Sequence, residues 1–122
     1  MLKRWVRKLL QSRPNPSIDD LPLWAVSQGA SSWIIDLAPY EPCRIAGLVE
    51  SLVLDPRDGS LEAAVTDGTA TVIARWAIRR PTLELAVAPG RFVVIEGLPM
   101  TGENGVVIPE PDFEVRPSGL VA

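Results

Sequence analysis

Between residues 43 and 77 the side chains alternate between apolar and polar with a period of two, and this narrows what the chain can fold into more than any other feature. Successive side chains of a strand point to opposite faces, so such a run reads as a half-buried strand. In "CRIAGLVESLVL" (43–54), Ile45, Gly47 and Val49 share one face, with Arg44, Ala46 and Glu50 on the other. Gly47 inside the run predicts a bend or bulge. A second strand over 61–66 sets Leu61, Ala63 and Val65 against Glu62, Ala64 and Thr66. Asp67-Gly68 is a strong hairpin signal. A third strand over 70–77 sets Val72, Ala74 and Trp76 against Thr71, Ile73 and Arg75. The connection "IRRPTLELAVAPG" has room for one helical turn, and "RFVVIEGL" (91–98) comes next as a fourth strand. "PMTGENG" reads as a loop, and "VVIPEPDFEV" as a fifth strand that its prolines confine to an edge or a bulge. Ile45, Val49, Val65, Val72, Val93 and Ile95 are the expected core.

The region before Cys43 has a different period. Leu2, Trp5, Val6, Leu9 and Leu10 recur at helical spacing, with Lys3, Arg4, Arg7 and Lys8 opposite them. A helix of that length is marginal in water and needs a surface. Pro14 and Pro16 make a stiff linker. Ser17 reads as an N-cap with Asp20 in the first turn, for a helix that "LPLWAVSQ" carries to a stop at Gly29. "SSWIIDL" fits either an extension of that helix or a short strand. The organisation expected is therefore a basic amphipathic helix (1–13), a linker and helix (14–42), a barrel (43–116) and a tail (117–122). Five strands with the longest connection between the third and fourth describe a mostly β, OB-type Greek-key barrel with N-terminal helical segments. An SH3-like barrel or a small sandwich is the alternative.

Charge is partitioned along this plan. Residues 1–13 hold 5 of the 12 basic groups and no acid, while the rest of the 122-residue chain holds the other 7 with all 15 acids. An acidic body is a poor general binder of phosphate, because that affinity comes from neutralising phosphates. With no histidine and one cysteine, Cys43, there is no internal disulfide and no histidine- or cysteine-based zinc site. No phosphate loop, nucleophile elbow or dinucleotide fingerprint is present, so neither an enzyme nor a bound cofactor is expected. Asp55 and Asp58 read as turn residues. No apolar run is long enough to span a bilayer and no secretory signal is evident, which makes the cytoplasm the expected location.

The motifs Ile45-Ala46-Gly47-Leu48-Val49, Asp67-Gly68-Thr69, Trp76, Arg79-Arg80, Pro89-Gly90 and Pro111 with Phe113 resemble a family. It is that of the small actinobacterial OB-fold nucleic-acid-binding domain proteins, related in fold to the OB domains of branch-migrating helicases and tRNA anticodon binders. The resemblance covers about residues 24–116 and implies single-stranded DNA or RNA as partner. Arg44, Arg75, Arg79 and Arg80 are the candidate contacts, as a small cationic patch that Glu50 and Glu62 would oppose. Trp76 is the one candidate stacking platform, although its alternation with Val72 and Ala74 favours burial. The basic segment (Lys3, Arg4, Trp5, Arg7, Lys8) has three readings: docked on its own barrel, lying on an anionic membrane surface, or an arm for nucleic acid or a partner protein. A weak single-strand binder is thus the leading expectation. A protein-interaction or membrane-peripheral module that uses the barrel as a scaffold is the rival.

Overall fold

The computed structural model describes residues 20–103 and 105–117. The expected basic helix and Ser17 lie outside the described residues, but Asp20, placed by the sequence in the first turn of the next helix, is its N-cap residue instead. Helix α1 (Leu21–Ser27) is followed by a 3₁₀ turn (Ile34–Asp36), then β1 (Cys43–Leu54), β2 (Leu61–Thr66), β3 (Thr71–Trp76), α2 (Pro81–Ala86), β4 (Phe92–Gly97), β5 (Met100–Gly102), β6 (Gly105–Pro109) and β7 (Asp112–Arg116). All seven strands form one mixed sheet in the order β5-β6-β3-β2-β1-β4-β7.

The sequence predicts five strands, and the difference has two physical sources. The loop "PMTGENG" pairs with the segment after it: Met100, Thr101 and Gly102 lie opposite Val107, Val106 and Gly105. The expected fifth strand is broken in two at Glu110, which takes a positive φ of 46°, and at Pro111. Its first half runs parallel to β3, Ile73 opposite Val107 and Arg75 opposite Pro109, and its second half antiparallel to β4, Ile95 opposite Phe113. The hydrogen-bonded ladder does not close on itself. Only Glu110 and Pro111 separate β6 from β7, so the chain itself passes from β3 to β4.

β1 is long because it serves two neighbours. Cys43–Leu48 pair with β4, and Leu48–Leu54 pair with β2. The register with β2 shifts between Val49 and Ser51, so the irregularity expected at Gly47 falls at Glu50, while Gly47 itself pairs regularly with Val93. The six expected core residues are all buried in one cluster with Leu61, Trp76, Leu83, Val87 and Ile108. Leu83 and Val87 come from the α2 connection and fold back into that core.

A second, smaller core lies on the opposite side. Leu21, Trp24 and Ala25 of α1 cover Ala46, Phe92 and Val94. Trp24 and Phe92 meet edge to face, with ring centroids 5.2 Å apart. Ala46 is therefore buried, although alternation alone places it on the outer face. Gly29, at φ 82°, ends the helical segment as expected. "SSWIIDL" becomes neither helix extension nor strand, but the short 3₁₀ turn.

Candidate nucleic-acid interface

Alternation along β2 and β3 sends Glu62, Ala64, Thr71, Ile73 and Arg75 to the side away from the main core. Glu62, Ile73 and Arg75 line a shallow pocket of about 250 Å³ with Glu103 and Val107. At its centre the Arg75 guanidinium is held by carboxylates. Its Nη2 donates to Asp58 at 2.8 Å, and its Nε lies 3.4 Å from Glu62. Asp58 arrives from the β1–β2 turn, 17 residues away in sequence. Arg75 is thus paired with two acids, and Glu103 adds a third carboxylate to the pocket lining.

Arg44 belongs to a different place. Its Nη2 and Nε donate to the Gln28 carbonyl at 3.2 and 3.4 Å, at the C-terminal end of α1. A cation suits that end of a helix dipole. Its Nη1 pairs with Glu96 at 3.0 Å. The adjoining pocket, about 110 Å³, is lined by Glu96, Asp112 and Glu114 as well as Arg44. Arg79 pairs with Glu84 of α2. Arg80 and Arg91 are exposed and have no carboxylate partner among the described residues. Arg44 and Arg75 therefore lie in different pockets, and Arg44, Arg75 and Arg79 each pair with an acid. Of the two acids expected to oppose the patch, Glu62 meets Arg75 while Glu50 accepts the Thr71 hydroxyl instead, and the sequence gives no sign of Asp58 as the nearer partner.

Trp76 is 2% exposed, so neither face of its ring is open to a base. Its indole N–H donates to the Pro111 carbonyl at 3.3 Å, and Phe113 meets the ring edge to face at 5.7 Å. The five outward residues of β2 and β3 include no aromatic side chain, so this face has no stacking platform.

The Asp67-Gly68-Thr69 turn does more than reverse the chain. Asp67 is fully buried. One carboxylate oxygen accepts the Ile34 amide at 2.8 Å, and the other accepts the Thr69 amide at 2.9 Å and the Thr69 hydroxyl. The Ile35 amide in turn donates to the Thr69 hydroxyl oxygen at 3.2 Å. The β2–β3 hairpin is thereby tied to the 3₁₀ turn.

In the β1–β2 turn, Asp55 and Asp58 behave as turn residues, accepting the amides of Arg57 and Ser60 at 2.9 Å. The Arg57 side chain, bonded to Asp55, is the main force holding the Asp55 carboxyl down to about 2, and the Arg57 amide adds to it. Asp58 is also held low, chiefly by the Ser60 amide. Burial pushes the half-buried Cys43 thiol up, which disfavours its thiolate. A carboxyl near 2 in the folded state and about 3.9 unfolded stabilises the fold above the unfolded value, and that stabilisation is lost as pH falls from about 4 toward 2. A carboxyl-detected NMR titration should place the Asp55 midpoint near 2. The Arg57→Ala variant should move it back toward about 3.9. An unshifted midpoint in the variant would mean that Arg57 does not hold Asp55.

Among the described residues, no three His, Cys, Asp or Glu side chains are grouped as metal ligands, and no helix is long and apolar enough to cross a membrane. No protein-family model matches the sequence, and no curated protein matches it. Solved structures do match in shape. An OBody bound to hen egg-white lysozyme aligns with a TM-score of 0.58 at 19% identity, over 73% of this chain and 96% of its own. Asparaginyl-tRNA synthetase from Pyrococcus horikoshii aligns with a TM-score of 0.58 at 19% identity, over 71% of this chain but 23% of the synthetase. RecG bound to a three-way DNA junction aligns at 0.56 and 22% identity, over 71% of this chain and 12% of that one. At such identities the likeness speaks for architecture alone, and the architecture is an OB-like fold.

Proposed function

We propose that this protein is a non-enzymatic module that binds single-stranded nucleic acid weakly, with its phosphate contacts supplied by the basic segment rather than by the sheet. The observation that carries this reading is the neutralisation of the sheet's own cations: Arg75 lies between Asp58 and Glu62, and Arg44 is spent on Glu96 and the end of α1. Lys3, Arg4, Arg7, Lys8 and Arg13 have no acid within their segment. The nucleic-acid side of the reading draws on the fold. OB folds bind oligonucleotides on the face of strands 2 and 3 with the adjoining loops, and RecG is seen with a DNA junction. The family resembled by the Asp67-Gly68-Thr69 and Arg79-Arg80 motifs points the same way. Without a stacking platform on β2 and β3, affinity is micromolar or weaker, and phosphate contacts leave it indifferent to sequence.

A fluorescence-anisotropy titration of the full chain with a labelled oligonucleotide tests this reading. Replacing Lys3, Arg4, Arg7 and Lys8 by Gln should weaken binding at least about tenfold, the loss of several neutralised phosphates. Replacing Arg75 and Arg79 by Ala should change it less than about twofold. The reverse pattern would put the site on the sheet.

A protein-interaction role is the second reading, and one observation favours it. The acidic face of Asp58, Glu62 and Glu103 around Ile73 and Val107 suits a basic protein surface better than a phosphate backbone. The absence of any oligonucleotide binding at low salt would put this reading first.

A further inference from the structure

Helix α1 is apolar on both sides. Leu21, Trp24 and Ala25 face the second core, yet Leu23 and Val26, one turn apart on the other side, are 58% and 57% exposed. A helix apolar all round is normally covered all round. Val26 also lines a pocket of about 330 Å³ with Ala30, Trp33 and Asp36. Trp33 is held at that rim by its indole N–H, which donates to the Pro22 carbonyl at 3.0 Å. Leu23, Val26 and Trp33 thus expose apolar surface beside a pocket that Ser31, Ser32 and the Asp36 carboxylate also line.

We propose that the apolar stripe of the chain's own N-terminal segment, Leu2, Trp5, Val6, Leu9 and Leu10, docks on this face of Leu23, Val26 and Trp33. Residues 1–19, outside the described residues, lead directly into Asp20, the N-cap of the same helix. The six linker residues 14–19 reach at most about 20 Å when extended, and α1 with seven residues is only about 10 Å long. The stripe is therefore tethered within reach of the whole patch. The stripe needs a surface to lie on, and the patch needs a cover. The signs of charge agree, because Asp36 stands at the rim and the segment carries five cations and no acid. An anionic membrane suits the patch less well, since the acidic body would sit against it. Docking would turn Lys3, Arg4, Arg7 and Lys8 outward as a fixed row. That consequence rests on the nucleic-acid reading, whereas the docking does not.

A thermal-unfolding cycle on the full chain tests the docking without any nucleic acid. One variant carries Leu23→Ser and Val26→Ser, another Leu2→Ser and Leu9→Ser, and a third all four. Each pair should lower the Tm by roughly 4–8 °C, the response of a small domain to a modest loss of packing. The combined variant should fall little further, because either pair alone already breaks the same contact. Unchanged Tm values, or losses that add, would overturn the proposal. So would a Tm that rises with protein concentration, which would make a second copy the cover. Binding of the parent chain to anionic phospholipid vesicles that either pair abolishes, with the Tm unmoved, would overturn it in favour of a membrane.

Discussion

Replacing Asp67 by Ala is expected to destabilise the protein by about 3–5 kcal/mol. The buried carboxylate accepts two backbone amides, those of Ile34 and Thr69, and the Thr69 hydroxyl. Hydrogen bonds to charged groups are each worth about 1.5–3 kcal/mol net, and a buried amide left without a partner costs a further 1–3 kcal/mol or so. The contributions overlap, so the total stays below their sum. At roughly 4–8 °C per kcal/mol for a small domain, the Tm should fall by more than about 12 °C. Asn should recover only part of the loss. Both oxygens face N–H donors, so the amide NH2 must meet one of them. A Tm change under about 3 °C for Asp67→Ala would mean that the hairpin and the 3₁₀ turn are not tied through this side chain.

Gly47→Ala should be comparably damaging for a steric reason. A Cβ there would lie 2.4 Å from the Thr66 carbonyl oxygen and 2.9 Å from its carbon. Those atoms are backbone in the neighbouring strand, so no side-chain rotation relieves the clash. β1 changes partner from β4 to β2 at the adjacent Leu48. A backbone shift there would disturb both ladders, at a cost of about 3 kcal/mol or more. Urea denaturation checks this, and an unchanged midpoint would show that β1 and β2 are not so closely apposed.

How legible these features are in the sequence depends on how local their causes are. β1 and β2 fall on the expected bounds, because alternation and the Asp67-Gly68 turn specify them from neighbouring residues. The burial of Trp76 follows from its place in the same alternation as Val72 and Ala74. Gly47 marks β1 as special, but the sequence suggests a bend where the cause is the close approach of the Thr66 carbonyl. The features missed depend on distant partners. Met100–Gly102 has no period of its own and becomes a strand only through β6. Ala46 looks outward until α1 covers it. Asp67 reads as a turn residue, and nothing near it in sequence names Ile34. In the candidate site the positions of the charges are legible, but their pairing is not. Asp58 reaches Arg75 only because the β1–β2 turn folds beside β3. That pairing moves the proposed phosphate contacts from the sheet to the basic segment.

The salt dependence of oligonucleotide binding by the full chain tests that claim most directly. Each phosphate neutralised on a single strand contributes about −0.7 to the slope of log affinity against log salt, so five cations give at most about −3.5. The parent chain should show a slope approaching that value. The slope should shrink to less than about 1 in magnitude when Lys3, Arg4, Arg7 and Lys8 are replaced by Gln, and stay unchanged when Arg75 and Arg79 are replaced by Ala. A slope that survives loss of the basic segment but falls with the two arginines would contradict that claim.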